Sequence, residues 1–177
     1  MHPIVKQENN MNQFSDSVLQ DIGSLLLSKQ ETISVAESVT SGLLQFGISC
    51  IKDASKFFQG GITAYNIAQK YAHLKVEPIH ALEVNCVSQK VATEMSLEVC
   101  ERFKSDWGVA VTGYASPVPE SDNKTFAYFS ISVHGKLVEA GQLNSSKENP
   151  ADVQHDFAAA IFERLRSTII AHKSEKV

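Results

Sequence analysis

Residues 32–42, reading Thr-Ile-Ser-Val-Ala-Glu-Ser-Val-Thr-Ser-Gly, restrict the fold of this chain more than any other stretch. A short β-type run, Ile33 to Ala36, empties into acid and hydroxyl side chains around Glu37 and stops at Gly42. Leu43, Leu44, Phe46 and Ile48 then resume an apolar pattern at helical spacing. Strand, polar turn, helix is the connection at which α/β folds display chemistry. The strand end fixes the turn, and the helix start offers free backbone N–H groups. Glu37, Ser38, Thr40 and Ser41 crowd into this one turn. They admit two readings: a catalytic or binding turn, or capping of the helix by hydroxyl side chains.

Periodicity fills in the rest of the chain. A helix is expected over 15–29, with Val18, Ile22, Leu25 and Leu26 on one stripe, and a strand over 32–36. A helix follows from about Thr40 to Ile51, then a strand from Phe57 to Tyr65, whose Gly60-Gly61 tolerates close backbone approach. Asn66 to Tyr71 reads as a short helix or turn, and Lys75 to Leu82 as a connector broken by Pro78. Ser88 caps a helix to Phe103, Trp107 to Thr112 is a compact strand, and Gly113 to Asn123 is a loop holding Pro117 and Pro119. Phe126 to Val133 and Lys136 to Leu143 form a hairpin about His134-Gly135, and Pro150 opens a long closing helix. Helices alternating with strands, then a hairpin and a last helix, predict a three-layer α/β/α sandwich with a mixed sheet. The expected organisation is a disordered leader over 1–13, one domain over 14–171 and a tail over 172–177.

Charge and cysteine usage narrow the function classes. A net charge of −4 gives no electrostatic footprint for nucleic acid. No apolar run approaches the ~20 residues of a membrane helix. Three widely spaced cysteines, Cys50, Cys86 and Cys100, suit reduced thiols and lack the spacing of a zinc site. The expectation is a cytoplasmic protein with no nucleic-acid or membrane partner. Phe57, Phe58 and Phe129, apolar residues that one sheet need not cover, suggest a homodimer or higher oligomer.

The turns at 37–42, 60–70 and 112–123 each flank a strand and can meet at one edge of the sheet. Between them Ser38 and Lys70 form a nucleophile and base. A serine hydroxyl is nearly inert until a neighbour accepts its proton, and lysine can do so only when its amine is neutral. At the ordinary pKa of ~10.4, only about one lysine in 2,500 is neutral at pH 7. The pair therefore demands a partly buried Lys70 within hydrogen-bond reach of Ser38. Taken singly, a solvated helix lysine and a half-buried strand tyrosine are the favoured readings of Lys70 and Tyr65. Cys86 stands before a helix start, where a thiolate is favoured, and reads as a small buried residue.

The order of these motifs resembles the C-terminal domain of the CinA family, the nicotinamide mononucleotide (NMN) deamidase domain. The likeness rests on Ala36-Glu37-Ser38-Val39-Thr40-Ser41-Gly42, on Phe57 to Tyr65 with Lys70 beyond, and on Val111-Thr112-Gly113, and runs over roughly residues 14–170. It implies an amidohydrolase in which Ser38 attacks a carboxamide, Lys70 accepts the proton and Tyr65 orients the lysine. Glu37, Thr40, Ser41, Gly42, Gly61, Thr112 and Gly113 would bind the NMN-like substrate, and backbone N–H groups near Thr40 to Gly42 would hold the oxyanion. No cofactor and no metal are implied. The sequence also departs from the family pattern. Val39 and Ser41 replace the cysteine and first glycine of the signature, and Ser116, Val118 and Pro119 replace three loop glycines. Phe126 stands where a strand-entry glycine is expected, and no arginine lies near Asn149-Pro150, where Lys147 is the nearest cation. The second reading is therefore a non-catalytic relative that uses the fold for ligand binding or assembly.

Overall fold

A computed structural model of the chain describes residues 14–172. The expected leader and residues 173–177 of the expected tail lie outside the described residues. Within them, α1 (Asp16–Lys29) leads into β1 (Ile33–Glu37), α2 (Leu43–Ser49) and β2 (Phe58–Thr63). Three helices follow, α3 (Ile67–Leu74), α4 (Pro78–Glu83) and α5 (Gln89–Phe103). Then come β3 (Trp107–Tyr114), the hairpin β4 (Phe126–Val133) and β5 (Lys136–Asn144), and α6 (Pro150–Ala171).

The five strands form one mixed sheet in the order β2-β1-β3-β4-β5. β1 is parallel to both neighbours, while β3, β4 and β5 pair antiparallel. All five residues of β1 are buried, as expected of an interior parallel strand covered on both faces.

The two faces of the sheet are built differently. On one, Val35, Val109, Val111, Phe129 and Ile131 join the apolar stripes of α1, α2 and α6 in a large core. On the other, Ala36 and Ala110 meet Val91, Met95 and Val99 of α5. Small residues on that second face let α5 settle close. A Cβ at Gly108 would lie 2.2 Å from the Ser96 carbonyl oxygen. Ser132 Oγ donates to that carbonyl at 2.9 Å, and Ser34 Oγ donates to the Val99 carbonyl at 3.1 Å. At the N-terminal end of β1 and β3, Asp106 accepts from the Thr32 N–H and hydroxyl, and Trp107 Nε1 donates to Glu31 at 2.7 Å.

The layered sandwich and mixed sheet stand as expected, with three local differences. Lys75 to Leu82 is not a simple connector, because Pro78 opens α4 instead of breaking it. Proline supplies the φ of a first helical residue, and the Glu77 carboxylate accepts from the N–H groups of Ile79 and His80. β3 runs on to Tyr114 because Gly113 and Tyr114 pair with Ala127 and Phe126. Helix α2 begins at Leu43, three residues later than Thr40, for the reason that shapes the site.

Candidate functional site

The C-terminal ends of β1, β2 and β3 open onto a pocket of about 420 Å³, within the roughly 300–1,000 Å³ usual for small-ligand sites. The turn after β1 is organised by Glu37, which is fully buried. Its carboxylate accepts from Thr40 Oγ1 at 2.5 Å and from the N–H groups of Gly42, Leu44 and Gln45 at 3.0, 3.1 and 2.9 Å. An acid at the strand tip therefore caps α2 across the turn, in place of the hydroxyl side chains expected to do so. Residues 38–42 stay outside the helix. Ser41 and Gly42 take φ of 51° and 106°, left-handed values that favour glycine and that Ser41 adopts at a cost.

Ser38 sits on the first residue of this turn and Lys70 inside α3, the helix that follows the neighbouring strand. Lys70 is 1% exposed and Ser38 6%. Lys70 Nζ donates to Ser38 Oγ at 2.8 Å, to the Ala64 carbonyl at 2.8 Å and to the Tyr65 carbonyl at 3.4 Å. Burial draws the Lys70 amine from 10.5 down to about 8, partly opposed by charge at Cys86. At that value about one lysine in ten is neutral at pH 7. The arrangement can move a proton from a serine hydroxyl to an amine without any further group.

The other expected site residues divide. Thr112 and Gly113 line the pocket beside Ser38 and Lys70. Thr112 Oγ1 donates to the Cys86 carbonyl at 2.8 Å. Tyr65 also lines the pocket, but its side chain is 72% exposed, and it is the backbone carbonyl that reaches Lys70. Ala64 and Tyr65 carbonyls therefore orient the lysine in place of a phenol. Glu37 and Thr40 turn inward to each other and leave no side-chain oxygen for a ligand. Gly61 serves packing instead: a Cβ there would lie 2.6 Å from Val35 Cγ2 and 2.7 Å from Gln45 Cγ. Two of the expected oxyanion donors are occupied, since Ser41 N–H donates to the Ser38 carbonyl and Gly42 N–H to Glu37.

Sequence reasoning missed the wall formed by residues 85–87 and the lip formed by Tyr114. Asn85 and Cys86 are consecutive left-handed residues with φ of 48° and 61°, a strain that clusters at functional turns. Asn85 Nδ2 donates to the Tyr114 hydroxyl at 3.0 Å, and Tyr114 meets Phe126 edge to face at 5.5 Å. The available signal was Asn85 shortly before the Ser88 cap, asparagine being a residue that tolerates a left-handed turn. Lys147, the nearest cation by sequence, lines a separate cleft with Pro117 and Lys124. Among the described residues, no group of three or more His, Cys, Asp or Glu could hold a metal, and no helix is long and apolar enough to cross a membrane.

Comparison with known proteins gives one consistent answer. The profile of the CinA C-terminal domain matches residues 15–169. A CinA-like protein of Cyanothece sp. is 38% identical over 157 residues, covering 88% of this chain and 38% of that protein. One from Prochlorococcus marinus is 41% identical over 126 residues, covering 70% of this chain and 30% of the relative. The chain thus spans well under half the length of these relatives. A crystal structure of a CinA superfamily protein from Klebsiella pneumoniae superposes with a TM-score of 0.82 at 19% identity, over 89% of this chain and 98% of the other. One from Escherichia coli gives 0.77 at 22% identity, over 93% and 99%. At such identities these structures speak for the fold alone.

Proposed function

Because this chain belongs to the CinA C-terminal domain family, we propose that it is an amidohydrolase of the NMN deamidase type. The observation that carries the reading is the buried contact of 2.8 Å between Lys70 Nζ and Ser38 Oγ. Neutral Lys70 takes the hydroxyl proton as Ser38 Oγ attacks the carboxamide carbon of a pyridine carboxamide. The resulting ammonium returns that proton to the departing nitrogen, ammonia leaves, and an ester on Ser38 remains. Water, deprotonated by the same lysine, then cleaves the ester to the free carboxylic acid and restores the serine. With the N–H groups of Ser41 and Gly42 occupied, those of Val39 and Thr40 are the donors left in this turn for the oxyanion.

The test is ammonia release from a pyridine carboxamide by wild-type protein, Ser38→Ala and Lys70→Met. Both variants are expected to lose activity by about 1,000-fold or more, as when one member of a nucleophile–base pair is removed. For the wild type, kcat/KM should rise with pH and level off above about 8, where Lys70 is neutral. A pH-independent rate, or turnover that survives Ser38→Ala, would sink the mechanism.

The rebuilt loop after β3 favours a second reading, a ligand-binding relative without turnover. Its mark would be ligand-induced thermal stabilisation with no ammonia released.

A further inference from the structure

The polar groups around the pocket are arranged against an anion. The loop after β3 would be the natural phosphate cradle, yet beyond Ala115 and Ser116, which line the pocket, most of its donors are absent or turned inward. Pro117 and Pro119 carry no N–H. The Val118 N–H donates to Ser121 Oγ, and the N–H groups of Ser121, Asp122 and Asn123 return to the carbonyls of Val118, Pro119 and Val118. Ser121, 4% exposed, closes the knot by donating its one hydroxyl proton to the Lys124 carbonyl at 2.7 Å.

The nearby helix starts are closed in the same way. The Glu37 carboxylate fills that of α2. Ser88 Oγ accepts from the Val91 N–H at the start of α5. At α6, Pro150 lacks a donor, Asn149 accepts from the Ala151 N–H, and Asp152 adds a negative charge to the first turn. Lys70 is the one Lys or Arg among the described residues lining the pocket, and it is committed to Ser38 and Ala64. What the pocket does offer is aromatic. Tyr65 and Tyr114 both line it, and Tyr114 is held by Asn85 at its hydroxyl and by Phe126 at its ring. Electron-rich ring faces attract a delocalised cation.

We propose that the pocket takes a phosphate-free pyridinium carboxamide, a nucleoside or smaller N-substituted amide, and discriminates against the corresponding 5′-phosphate. This refines the amidohydrolase reading and rests on it for the carboxamide. A phosphate brought against Glu37-capped and proline-blocked backbone loses its water and gains no cationic partner and few N–H donors in return. The pyridinium ring gives up little, because Tyr114 is already fixed for it.

The experiment is calorimetric titration of Ser38→Ala protein with NMN and with the nucleoside that lacks its phosphate. The nucleoside is expected to bind at least ~10-fold more tightly, the loss of roughly one charge-assisted contact. Equal affinities, a tighter nucleotide, or binding of neither ligand overturns the proposal. Thermal shifts of the wild-type protein with the same two ligands give the ranking independently of the substitution. Nucleoside affinity should fall about fivefold in Tyr114→Ala and hold in Tyr114→Phe, as a stacked cation requires; an equal response of both variants removes the ring from the argument. Ammonia release is measured alongside. If the nucleoside binds preferentially and no ammonia appears, the amidohydrolase reading fails and the ligand assignment stands.

Discussion

At the scale of single residues, Lys70 has the clearest consequence for stability. Folding places its amine where the charged form is disfavoured, about 8 against 10.5 in the unfolded chain. Between those values the unfolded chain holds a proton that the folded one has released, so stability rises with pH across that window. Below about 8 the folded state carries the full penalty of a buried ammonium. The wild type should therefore gain up to about 3 kcal/mol between pH 8 and 10.5 relative to Lys70→Met, whose stability lacks this slope. Urea unfolding of both proteins across that range checks it; parallel curves would mean that Lys70 is not desolvated. Ser38 and Lys70 were legible in the sequence because motif order and a chemical requirement pointed to the same two positions. Tyr65 was misread because sequence spacing cannot tell a ring from the carbonyl behind it. Tyr114 was missed because it looked like a loop residue, and only its pairing with Phe126 places it at the pocket.

At the scale of elements, the turn after β1 depends on one carboxylate. Glu37 serves one hydroxyl and three backbone donors from a fully buried position. Replacing it with alanine leaves those donors without a partner in a site that water reaches poorly. Glu37→Ala is expected to lower stability by about 2–4 kcal/mol, and to disturb Ser38 through the turn it holds. Chemical denaturation gives the first effect. A loss under ~0.5 kcal/mol, typical of surface sites, would show the cap to be dispensable. The strands and long helices were readable because their apolar periods were clean. The start of α2 was not, since Ser, Thr and Glu are all credible caps and only three-dimensional reach selects Glu37. Pro78 was read as a breaker for a similar reason: a first helical residue and a helix stop look alike without the Glu77 cap.

At the scale of the whole molecule, the expectation of self-association loses its original motive. Phe57 and Phe129 are buried within the chain at 1% and 3% exposure, and Phe58 packs against the same core. Other apolar residues are exposed, among them Tyr71 on α3 and Ile79 and Leu82 on α4, from 59% to 70% exposed. If the chain forms the homodimer expected from its sequence, we propose the adjoining helices α3 and α4 as the contact. Leu82→Glu should then shift the sedimentation of micromolar protein toward the monomer, and a wild type that already sediments as a monomer removes the proposal. The placement of the dyad also bears on how the protein fails. Ser38 follows the interior strand β1, whereas Lys70 follows β2, an edge strand with no fully buried residue. Edge elements open locally at lower free energy than the core. Amide hydrogens of β2 and α3 should then exchange ahead of those of β1 and β3, and site integrity should melt at lower urea than helical content. The chemistry would be lost by fraying, with most of the protein still folded around the serine.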